Sequence, residues 1–534
     1  MKRFNTTGPC FPDEHYMMPA LDRLPGVREL VAGGGYFVVH APRQTGKTTA
    51  LKALVREINA KGDMFALYCT LEALQNRSDP MQTNTAIRDF IADNVEMSPF
   101  YSPIQGAPEL REERGGVLLA VRTVLQNVCR AIGRPVVVFF DEADCLVADA
   151  LISFLRQLRD GYVNRDTMPF PKSIALVGML DVRDYKAQIR PDGQSFGQIS
   201  PFNIIAEDML IPNFTESDIA ALYSQHTAET GQRFADGVVE AVWRWTRGQP
   251  WLVNAIANDC VAKIHGNRFG ETITVDDVDA AKEAIIRRRD THVDSLMERM
   301  REPRVRRIVE PLISGQELTV SRNSEDFRYV IDLGLLREDE VKRVVPANPM
   351  YAEIIGRYLT RDEQDDMLSR VSETPWVKAD GLDMPGLMAA FQQFWRENSG
   401  ADKDIMGYRE SVPHLVLMAF LQRVTNGISP ERSEHCEAMS LEGCGHINRE
   451  MALGTGRLDL CVEFRGARYA IEVKTSANFQ GAKSYAQCAK YLDSLGLAEG
   501  WMPIFEKSKE KSWDEKIYSR DETVDGKTIH VIGL

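Results

Sequence analysis

Several features that are common in secreted and membrane proteins are missing from this sequence. No apolar run approaches the length that crosses a bilayer, and the first residues contain no apolar signal core, so we expect neither membrane insertion nor secretion. The nine cysteines are odd in number and lack a framework spacing, which favours a reduced, cytoplasmic protein. The net charge of −13 argues against binding of nucleic acid by the whole surface, but it is compatible with a local basic groove.

The length of the chain and the order of its apolar segments predict several domains. At 534 residues the chain exceeds what one hydrophobic core usually organises. Apolar strands alternate with helices over residues 36–178, a pattern typical of a parallel sheet covered on both faces. We therefore expect an α/β domain at 1–205, a helical domain at 206–294, helices and two short strands that resemble a winged helix at 295–362, a polar linker at 363–384, and a second α/β domain at 385–534.

The segment "APRQTGKTT" lies between an apolar strand and a helix, and it fits the phosphate-loop pattern. It comprises Ala41, Pro42, Arg43, Gln44, Thr45, Gly46, Lys47, Thr48 and Thr49. Gly46 would let backbone N–H groups approach phosphate oxygens, and the N-terminus of the following helix adds partial positive charge. Lys47 would contact the β- and γ-phosphates of ATP, and Thr48 would bind Mg²⁺. The alternative is an unrelated loop, against which the spacing and the context both argue.

The segment "VVVFFDEAD" supplies the acids that a phosphate loop requires. Asp141 follows a buried strand and would hold Mg²⁺ through water, while Glu142 would polarise the attacking water. Taken alone, these acids are equally well explained as a cap on the next helix, so the interpretation depends on the phosphate loop upstream. The letters D-E-A-D suggest a helicase, but the sequence contains no recognisable second motor domain.

Short segments in a fixed order resemble a family of prokaryotic AAA-like ATPases that is related to the archaeal-type and STAND ATPases. They include "FNTTGPC", "YFVVHAPRQTGKTTAL", "LVGMLDVRDYK", "NFTESDIAALYSQHTAETGQ", "GQPWLVNAIA", "YVIDLGLL" and "ANPMYAEIIGRYL". The resemblance covers nearly the whole chain. It implies a P-loop NTPase sheet with a helical lid and a winged helix, which close on the nucleotide and report its state.

The same resemblance implies further nucleotide contacts. His15, Tyr16 and Arg23 would lie beside the base and ribose, residues 248–251 would face the nucleotide from the lid, and the strand at 173–178 would sense the γ-phosphate. An arginine that acts on a neighbouring subunit is also implied, and the candidates are Arg183, Arg190 and Arg247.

The C-terminal segment "GRLDLCVEFRGARYAIEVK" predicts a β-hairpin with a four-residue turn at 465–468. One face would then be apolar, with Phe464 opposite Tyr469 and Val462 opposite Ile471. The other face, turned to solvent, would carry Asp459 opposite Lys474, with Glu472 diagonal to both.

Two carboxylates beside an ammonium are suited to binding Mg²⁺, which activates water for phosphodiester cleavage. The pattern resembles the D…E-x-K core of the PD-(D/E)XK nuclease superfamily, that is, a restriction-endonuclease-like domain, and this implies one or two Mg²⁺ ions held by Asp459 and Glu472. Glu450 matches an acid sometimes placed before this hairpin. Gln487 and Tyr491 share one helical face and resemble the extra motif of RecB-type nucleases. The alternatives are a salt-bridged hairpin without a ligand, or an inactive copy of the fold that only binds a partner.

Two weaker patterns remain. His435, Cys436, Cys444 and His446 lack the usual zinc spacings, so a zinc site is disfavoured. Six arginines near the winged helix could face DNA, but a solvated or interdomain helix face is favoured; they are Arg287, Arg288, Arg289, Arg304, Arg306 and Arg307.

Together these patterns predict an ATPase whose nucleotide cycle controls a Mg²⁺-dependent nuclease. We expect DNA rather than RNA as the partner, and a role in defence against foreign DNA. The oligomeric state stays open: the resemblance is compatible with a homo-oligomer that forms on ATP binding, as in AAA-type relatives, and with a resting monomer, as in STAND-type relatives. The alternative is a STAND-type regulatory switch whose nuclease-like domain is inactive and binds nucleic acid or a protein. A third option is a motor whose ATP hydrolysis is stimulated by DNA.

Overall fold

The structure is a computed structural model. It describes residues 1–112, 116–179, 204–288, 291–313, 321–322, 324–340, 342–359, 376–378, 381–398, 416–418, 420–421, 446–453, 456–464, 466–506 and 511–534. The chain divides into two compact units, the first formed by Met1–Leu296 with Val320–Tyr351 and the second by Met297–Thr319 with Ala352–Leu534. The finer division predicted at 205, 294, 362 and 384 stays a prediction.

Five parallel strands form the central sheet of the first unit. They are β1 (Tyr36–His40), β2 (Phe65–Thr70), β3 (Val136–Asp141), β4 (Ser173–Gly178) and β5 (Ile205–Leu210), in the spatial order β2-β3-β4-β1-β5. β3 and β4 are buried along their whole length, as expected for strands covered on both faces. The predicted parallel sheet is thus confirmed, and with its helices it fits the α/β fold of P-loop NTPases.

The helices of the first unit follow the predicted alternation. They are α1 (Val27–Gly33), α2 (Lys47–Lys61), α3 (Pro80–Glu96), α4 (Ala120–Ile132), α5 (Ala148–Val163), α6 (Glu216–Thr230), α7 (Val238–Thr246), α8 (Pro250–Asn258) and α9 (Val275–Arg288). A π-helical turn, Asp259–Ile264, follows α8. α6 begins with a capping box, in which Thr215 and Asp218 exchange hydrogen bonds between side chain and backbone.

Four helices and a small hairpin follow in the sequence. They are α10 (Thr291–Met300), α11 (Pro303–Ile313), α12 (Glu325–Asp332), β6 (Leu336–Glu338), β7 (Val344–Pro346) and α13 (Pro349–Leu359). β6 and β7 pair antiparallel, which confirms the two predicted short strands. Within the described ranges, every helix is too short or too polar to cross a membrane.

A mixed sheet dominates the second unit. After the small pair β8 (Val377–Lys378) and β9 (Gly381–Leu382), its strands are β10 (His446–Leu453), β11 (Gly456–Phe464), β12 (Ala467–Ile471), β13 (Lys474–Thr475), β14 (Glu499–Phe505), β15 (Ser519–Val524) and β16 (Lys527–Gly533). The spatial order is β10-β11-β12-β14-β16-β15, and β13 also pairs with β14. β10, β11 and β12 are antiparallel, whereas β12, β13 and β16 each run parallel to β14.

Helices cover both faces of this mixed sheet. They are α14 (Met384–Asn398), α15 (Ala482–Ser494) and the short α16 (Trp513–Lys516). Phe391 of α14 packs in one core with Leu460 and Val462. Cys461, on the opposite face of β11, packs in a second core with Cys488 of α15. The acid-bearing face of the hairpin is therefore covered by a helix and not turned to solvent, which corrects the prediction.

The turn of the hairpin also differs from the prediction. Phe464 pairs with Ala467 and Leu460 pairs with Ile471, so the connection is two residues long instead of four. Gly466 has φ +79°, and two-residue hairpin turns favour glycine because they require positive φ. Continuing this register places Asp459 opposite Glu472 and not opposite Lys474.

Candidate functional site

The phosphate loop connects β1 to α2 in the first unit. Gly46 has φ +96° and caps α2, a conformation that a residue with a Cβ rarely adopts. A Cβ on Gly46 would also lie 2.9 Å from Nη1 of Arg23. Thr45 Oγ1 donates to the carbonyl of Pro42 across the loop, at 2.9 Å. The loop is thus closed tightly in front of the N-terminus of α2, where partial positive charge favours anions.

Lys47 lies inside this loop. Its Nζ donates to the carbonyl oxygens of Ala41, at 2.7 Å, and Pro42, at 3.0 Å. Burial lowers the pKa of Lys47, while the nearby Glu142 acts in the opposite direction. The partners of this ammonium are neutral carbonyls, so its charge is not cancelled by a carboxylate in direct contact.

Asp141, at the end of β3, lies beside Thr48. Thr48 Oγ1 donates to Asp141 Oδ2 at 2.7 Å, so the two predicted Mg²⁺ ligands are adjacent. Tyr68 OH donates to the same oxygen at 2.8 Å. Sequence reasoning missed Tyr68, although a hydroxyl on an otherwise apolar strand that precedes β3 was a usable signal. Paired hard-oxygen donors of this kind suit Mg²⁺.

Glu142 follows Asp141 in a left-handed conformation, with φ +54°. Burial, with a contribution from the neighbouring Asp144, raises the pKa of its carboxyl to about 7, while Lys47 opposes the shift. Asp144, also missed, accepts a hydrogen bond from the Met179 N–H at 2.8 Å. This bond links the acidic segment to the end of β4, the strand predicted to sense phosphate.

A cavity lies next to the phosphate loop in the first unit. Its wall is formed by the N-terminal segment, the phosphate loop, and α6 and α8 with the segment before α6, through Asn5, Thr6, Thr7, Gly8, Cys10, Tyr16, Met17, Met18, Ala20, Arg23, Gln44, Gly46, Thr49, Phe214, Leu222, Pro250, Trp251 and Asn254. The predicted base-pocket residues Tyr16 and Arg23 are in this wall. His15 is not; it is buried, and its Nδ1 accepts a hydrogen bond from the Phe11 N–H at 3.0 Å.

Arg23 connects the phosphate loop to the segment that precedes α6. Its guanidinium donates to the carbonyls of Thr45 and Pro212 and lies 4.8 Å from the ring centroid of Phe214. Burial lowers the pKa of Arg23 to about 10, so it stays charged at neutral pH. Arg23 therefore fixes the position of the loop relative to Phe214.

The predicted lid contact, residues 248–251, is held closely against the same segment. A Cβ on Gly248 would lie 1.8 Å from the carbonyl oxygen of Phe214, so no other residue fits there. Trp251 Nε1 donates to the carbonyl of Thr6 at 2.8 Å. The Trp251 ring also stacks on His292, with centroids 4.6 Å apart. The aromatic wall of the cavity is thus fixed on both sides.

One arginine candidate can be placed in the structure. Arg247 ends α7 in a left-handed conformation, with φ +47°, and its guanidinium lies over the Trp243 ring at 4.4 Å. Burial lowers its pKa, and the nearby Arg337 lowers it further. Arg183 and Arg190 lie outside the described residues.

The second site lies at the end of β12 in the second unit. Lys474 Nζ contacts Glu472 Oε1 at 2.7 Å, with only 14% of the lysine side chain and 1% of the glutamate side chain exposed. Asp459 Oδ2 accepts a hydrogen bond from the Val473 N–H at 2.7 Å. The structure therefore brings Asp459, Glu472 and Lys474 together, but Glu472 and Lys474 form an ion pair with each other.

Burial and the ion pair shift the pKa values of Glu472 and Lys474 in opposite directions, and a different effect is larger at each residue. Burial raises the pKa of Glu472 even though Lys474 opposes the shift. Burial lowers the pKa of Lys474, but Glu472 and then Asp459 outweigh it, so the pKa of Lys474 is raised. Glu472 Oε2 is buried and has no hydrogen-bond partner among the described residues, which leaves one acceptor for a ligand.

The two remaining nuclease candidates on α15 are in direct contact. Gln487 Nε2 donates to Tyr491 OH at 2.6 Å. Tyr491 also contributes to the raised pKa of Lys474. Arg449 pairs with Leu460 and Met451 with Leu458, so the backbone of Glu450 lies across from Asp459; its side chain is outside the described part.

Within the described residues, neither the histidine and cysteine pattern nor the arginine pattern forms a ligand site. His435, Cys436 and Cys444 lie outside the described residues, as does the His446 side chain. No cluster of three metal-ligating side chains occurs in the portion that the structure describes. Four of the six arginines form ion pairs, Arg287 with Glu283 and Arg288 with Asp259 in the first unit, Arg304 with Glu302 and Arg306 with Glu310 in the second. Arg289 is not described. These four arginines thus have partners within the protein, which is compatible with the favoured interpretation of a solvated or interdomain helix face.

Comparisons with known proteins give structural likeness alone. No family model and no curated protein matches the sequence. Among solved structures, the chain is similar to a Walker-type ATPase of Pyrococcus abyssi, at 14% identity and a TM-score of 0.47, over 66% of this chain and 99% of that one. It is also similar to Cdc6p from Pyrobaculum aerophilum, at 16% identity and 0.34, over 64% and 93%. A third similar structure is the Thermotoga maritima RuvB Holliday junction branch migration motor, at 12% and 0.32, over 62% and 91%. Likeness at this level identifies neither substrate nor partner, so function has to be argued from the residues.

Proposed function

We propose that this protein binds and hydrolyses ATP with Mg²⁺ at the phosphate loop, and that its nucleotide cycle controls a Mg²⁺-dependent nuclease in the second unit. The observation that carries the first half is the 2.7 Å hydrogen bond between Thr48 and Asp141 beside the buried Lys47. Hydroxyl, carboxylate and ammonium are the groups that a Mg²⁺–triphosphate requires at this spacing in a phosphate loop.

Each residue has a defined task in ATP hydrolysis. Lys47 would exchange its carbonyl partners for oxygens of the β- and γ-phosphates, and α2 would face the phosphates with its N-terminus. Thr48 and Asp141 would hold Mg²⁺, which neutralises charge on the phosphates when it is bound. Glu142 would orient the attacking water, and its pKa of about 7 places the ionised base and the acid in comparable amounts near neutral pH.

The proposal for the second unit rests on Asp459, Glu472 and Lys474. Two carboxylates and the buried, unpartnered Glu472 Oε2 fit a site for one or two Mg²⁺ ions, which supply a water activated for attack on phosphorus. Lys474 would leave Glu472 and stabilise the charge that develops on the phosphate. A mixed sheet between helices supports a restriction-endonuclease-like fold, and the substrate we propose is DNA.

A cleavage assay tests the nuclease. Plasmid, linear DNA and RNA are incubated with Mg²⁺, with and without ATP, using the unchanged chain, Lys47→Ala and Lys474→Ala. Cleavage that is lost in Lys474→Ala but altered only in its ATP dependence by Lys47→Ala supports a nuclease controlled by nucleotide. Cleavage that survives in Lys474→Ala contradicts the assignment of the site.

A second candidate function is favoured by the ion pair itself. Because Lys474 and Glu472 neutralise each other under α15, the second unit also fits an inactive nuclease-like domain that binds nucleic acid or a protein under control of a STAND-type switch. Intact ATP hydrolysis without cleavage under Mg²⁺ or Mn²⁺ would select this alternative.

The proposal includes assembly and a biological role. ATP would drive formation of a homo-oligomer, and cleavage would act against foreign DNA. Light scattering with and without ATP tests the first statement, since an unchanged mass contradicts it. Plating of phage on cells with the unchanged chain or Lys474→Ala tests the second.

A further inference from the structure

Asn254 on α8 has an amide oxygen that the protein itself does not use. Asn254 follows Pro250 by four positions and Trp251 by three, so the three side chains share one helical face, and all of them line the cavity beside the phosphate loop. Asn254 Nδ2 donates to the carbonyl of Pro250 at 2.8 Å. This bond fixes the orientation of the amide, because a flipped amide would set two oxygens against each other.

Asn254 Oδ1 is therefore an acceptor, and it is buried without a hydrogen-bond partner among the described residues. Asn254 itself is 7% exposed. Of the described residues with such an atom, it is the one that lines this cavity. An unpaired buried acceptor is costly, so a ligand in the cavity that brings a hydrogen-bond donor to Asn254 Oδ1 would be stabilised.

Three other polar side chains of the cavity wall are already engaged. Tyr16 OH donates to Glu229 at 2.7 Å, and Trp251 Nε1 donates to the carbonyl of Thr6 at 2.8 Å. Arg23 is held by two carbonyls. Leu222, Pro250 and the Trp251 ring add apolar surface to the wall. Such a wall matches a flat aromatic ligand that presents one hydrogen-bond donor.

We infer that Asn254 Oδ1 accepts a hydrogen bond from the exocyclic amine of adenine and selects ATP over nucleotides with a carbonyl at that position. The inference rests on the proposed function, in which the phosphate loop binds the phosphates of ATP; because Gln44, Gly46 and Thr49 of that loop line the cavity, the base would lie in it. Adenine presents an amine donor where guanine presents the O6 acceptor. Guanine would set an acceptor against Oδ1, and a purine without the amine would leave Oδ1 unpaired.

Affinities for three nucleotides test the inference. ATP, purine riboside triphosphate, which lacks only the amine, and GTP are titrated against the unchanged chain and Asn254→Leu by calorimetry. The unchanged chain should prefer ATP to purine riboside triphosphate by about tenfold, the value of one neutral hydrogen bond, and should bind GTP more weakly still. Asn254→Leu should bind ATP and purine riboside triphosphate equally.

Asn84 provides a matched control. It is buried in α3, its Nδ2 donates to Ser153 Oγ at 3.0 Å, and its Oδ1 also lacks a partner among the described residues, but it does not line the cavity. Asn84→Leu should keep the tenfold preference. If Asn254→Leu does not fold, Asn254→Ala takes its place, and because each preference is a ratio within one variant, partial loss of stability does not affect it.

The outcomes separate the two levels of argument. Loss of the preference in the Asn254 variants alone supports the inference. An unchanged chain that binds ATP without preferring it to purine riboside triphosphate overturns the inference and leaves the proposed ATPase intact, as does a preference that survives in Asn254→Leu. An unchanged chain that binds none of the three nucleotides overturns the proposed function as well.

Discussion

Two regions of this molecule gather carboxylates around a buried lysine, but they use the lysine differently. In the first unit, Lys47 donates to backbone carbonyls, and Asp141 accepts from the hydroxyls of Thr48 and Tyr68. In the second unit, Lys474 contacts the carboxylate of Glu472 at 2.7 Å. In the first site, the charged groups Lys47 and Asp141 have neutral hydrogen-bond partners. In the second site, the opposite charges of Lys474 and Glu472 neutralise each other.

This difference determines which existing interactions a ligand has to displace at each site. At the phosphate loop, an anion and a cation can exchange for neutral hydrogen-bond partners, so the site is organised for both. At the second site, a cation has to compete with Lys474 for Glu472. A buried ion pair can also exist for structural reasons or for none. The following predictions test whether this contrast is real.

The largest expected effect is on stability in the second unit. Lys474→Met leaves the Glu472 carboxylate buried without its partner, and we expect a loss of about 3–5 kcal/mol in the free energy of unfolding. The double variant Glu472→Gln with Lys474→Met should recover most of it. Urea denaturation measures both values.

The surface pair of Lys378 with Asp383 in the same unit serves as the control for this experiment. The lysine side chain is 57% exposed and the aspartate side chain 33%, so Lys378→Met should cost less than about 1 kcal/mol. Equal losses for the two lysines would mean that the second site is open to solvent, and the contrast between the two regions would disappear.

The next effect concerns ATP hydrolysis. Lys47→Ala removes the one ammonium placed within the phosphate loop, and we expect kcat to fall by about 10²–10³-fold, the usual result of deleting a preorganised group that stabilises developing charge. Lys61→Ala, at the other end of the same helix and paired with Glu57 on the surface, should leave kcat unchanged. Phosphate release measures both, and an equally active Lys47→Ala would refute the assignment of the loop.

A smaller effect should appear as a pH dependence. The pKa of Glu142 is raised from 4.5 to about 7 by burial and Asp144, so its carboxylate form increases as pH rises from about 6 to 8, and kcat should increase with it. Since ionisation is less favourable in the folded protein, the contribution of Glu142 to stability falls between pH 4.5 and about 7. Glu142→Gln should lose both dependences, and a rate profile identical to that of the unchanged chain would remove Glu142 from the mechanism.

The smallest effect distinguishes two tyrosines. Tyr68→Phe and Tyr36→Phe each remove one hydrogen bond, to Asp141 in the first case and to the Pro171 carbonyl in the second. Each should cost about 1 kcal/mol of stability. Only Tyr68→Phe should change the Mg²⁺ concentration that gives half-maximal ATP hydrolysis, and a shift in both variants would indicate an indirect effect.

The sequence predicted the features that depend on local pattern. An apolar run before "APRQTGK" and a helical period after it are sufficient to place β1, Gly46 and α2. Hairpin alternation likewise assigned Leu460 and Val462 to one core and Asp459 to the other face. The predicted pairing of β11 with β12 was shifted by two residues. Because a shift of two keeps every side chain on its face of the sheet, the residues assigned to each face were still correct.

Features that depend on chain segments distant in sequence were missed. Tyr68 reaches Asp141 because β2 lies next to β3, and Asp144 reaches Met179 because β3 lies next to β4. The burial of the Lys474–Glu472 ion pair, as distinct from the pairing itself, depends on how α15 covers the hairpin. Alternation alone cannot reveal such coverage, because it describes one strand at a time.

The hydrogen bond from the Val473 amide to Asp459 has a practical consequence. β12 ends at Ile471 and β13 begins at Lys474, so a side chain, and not another strand, protects this amide proton. Any divalent ion that draws Asp459 toward itself would expose the proton to deuterium. Hydrogen exchange at Val473 would therefore report metal binding at the proposed site, even in a chain without nuclease activity.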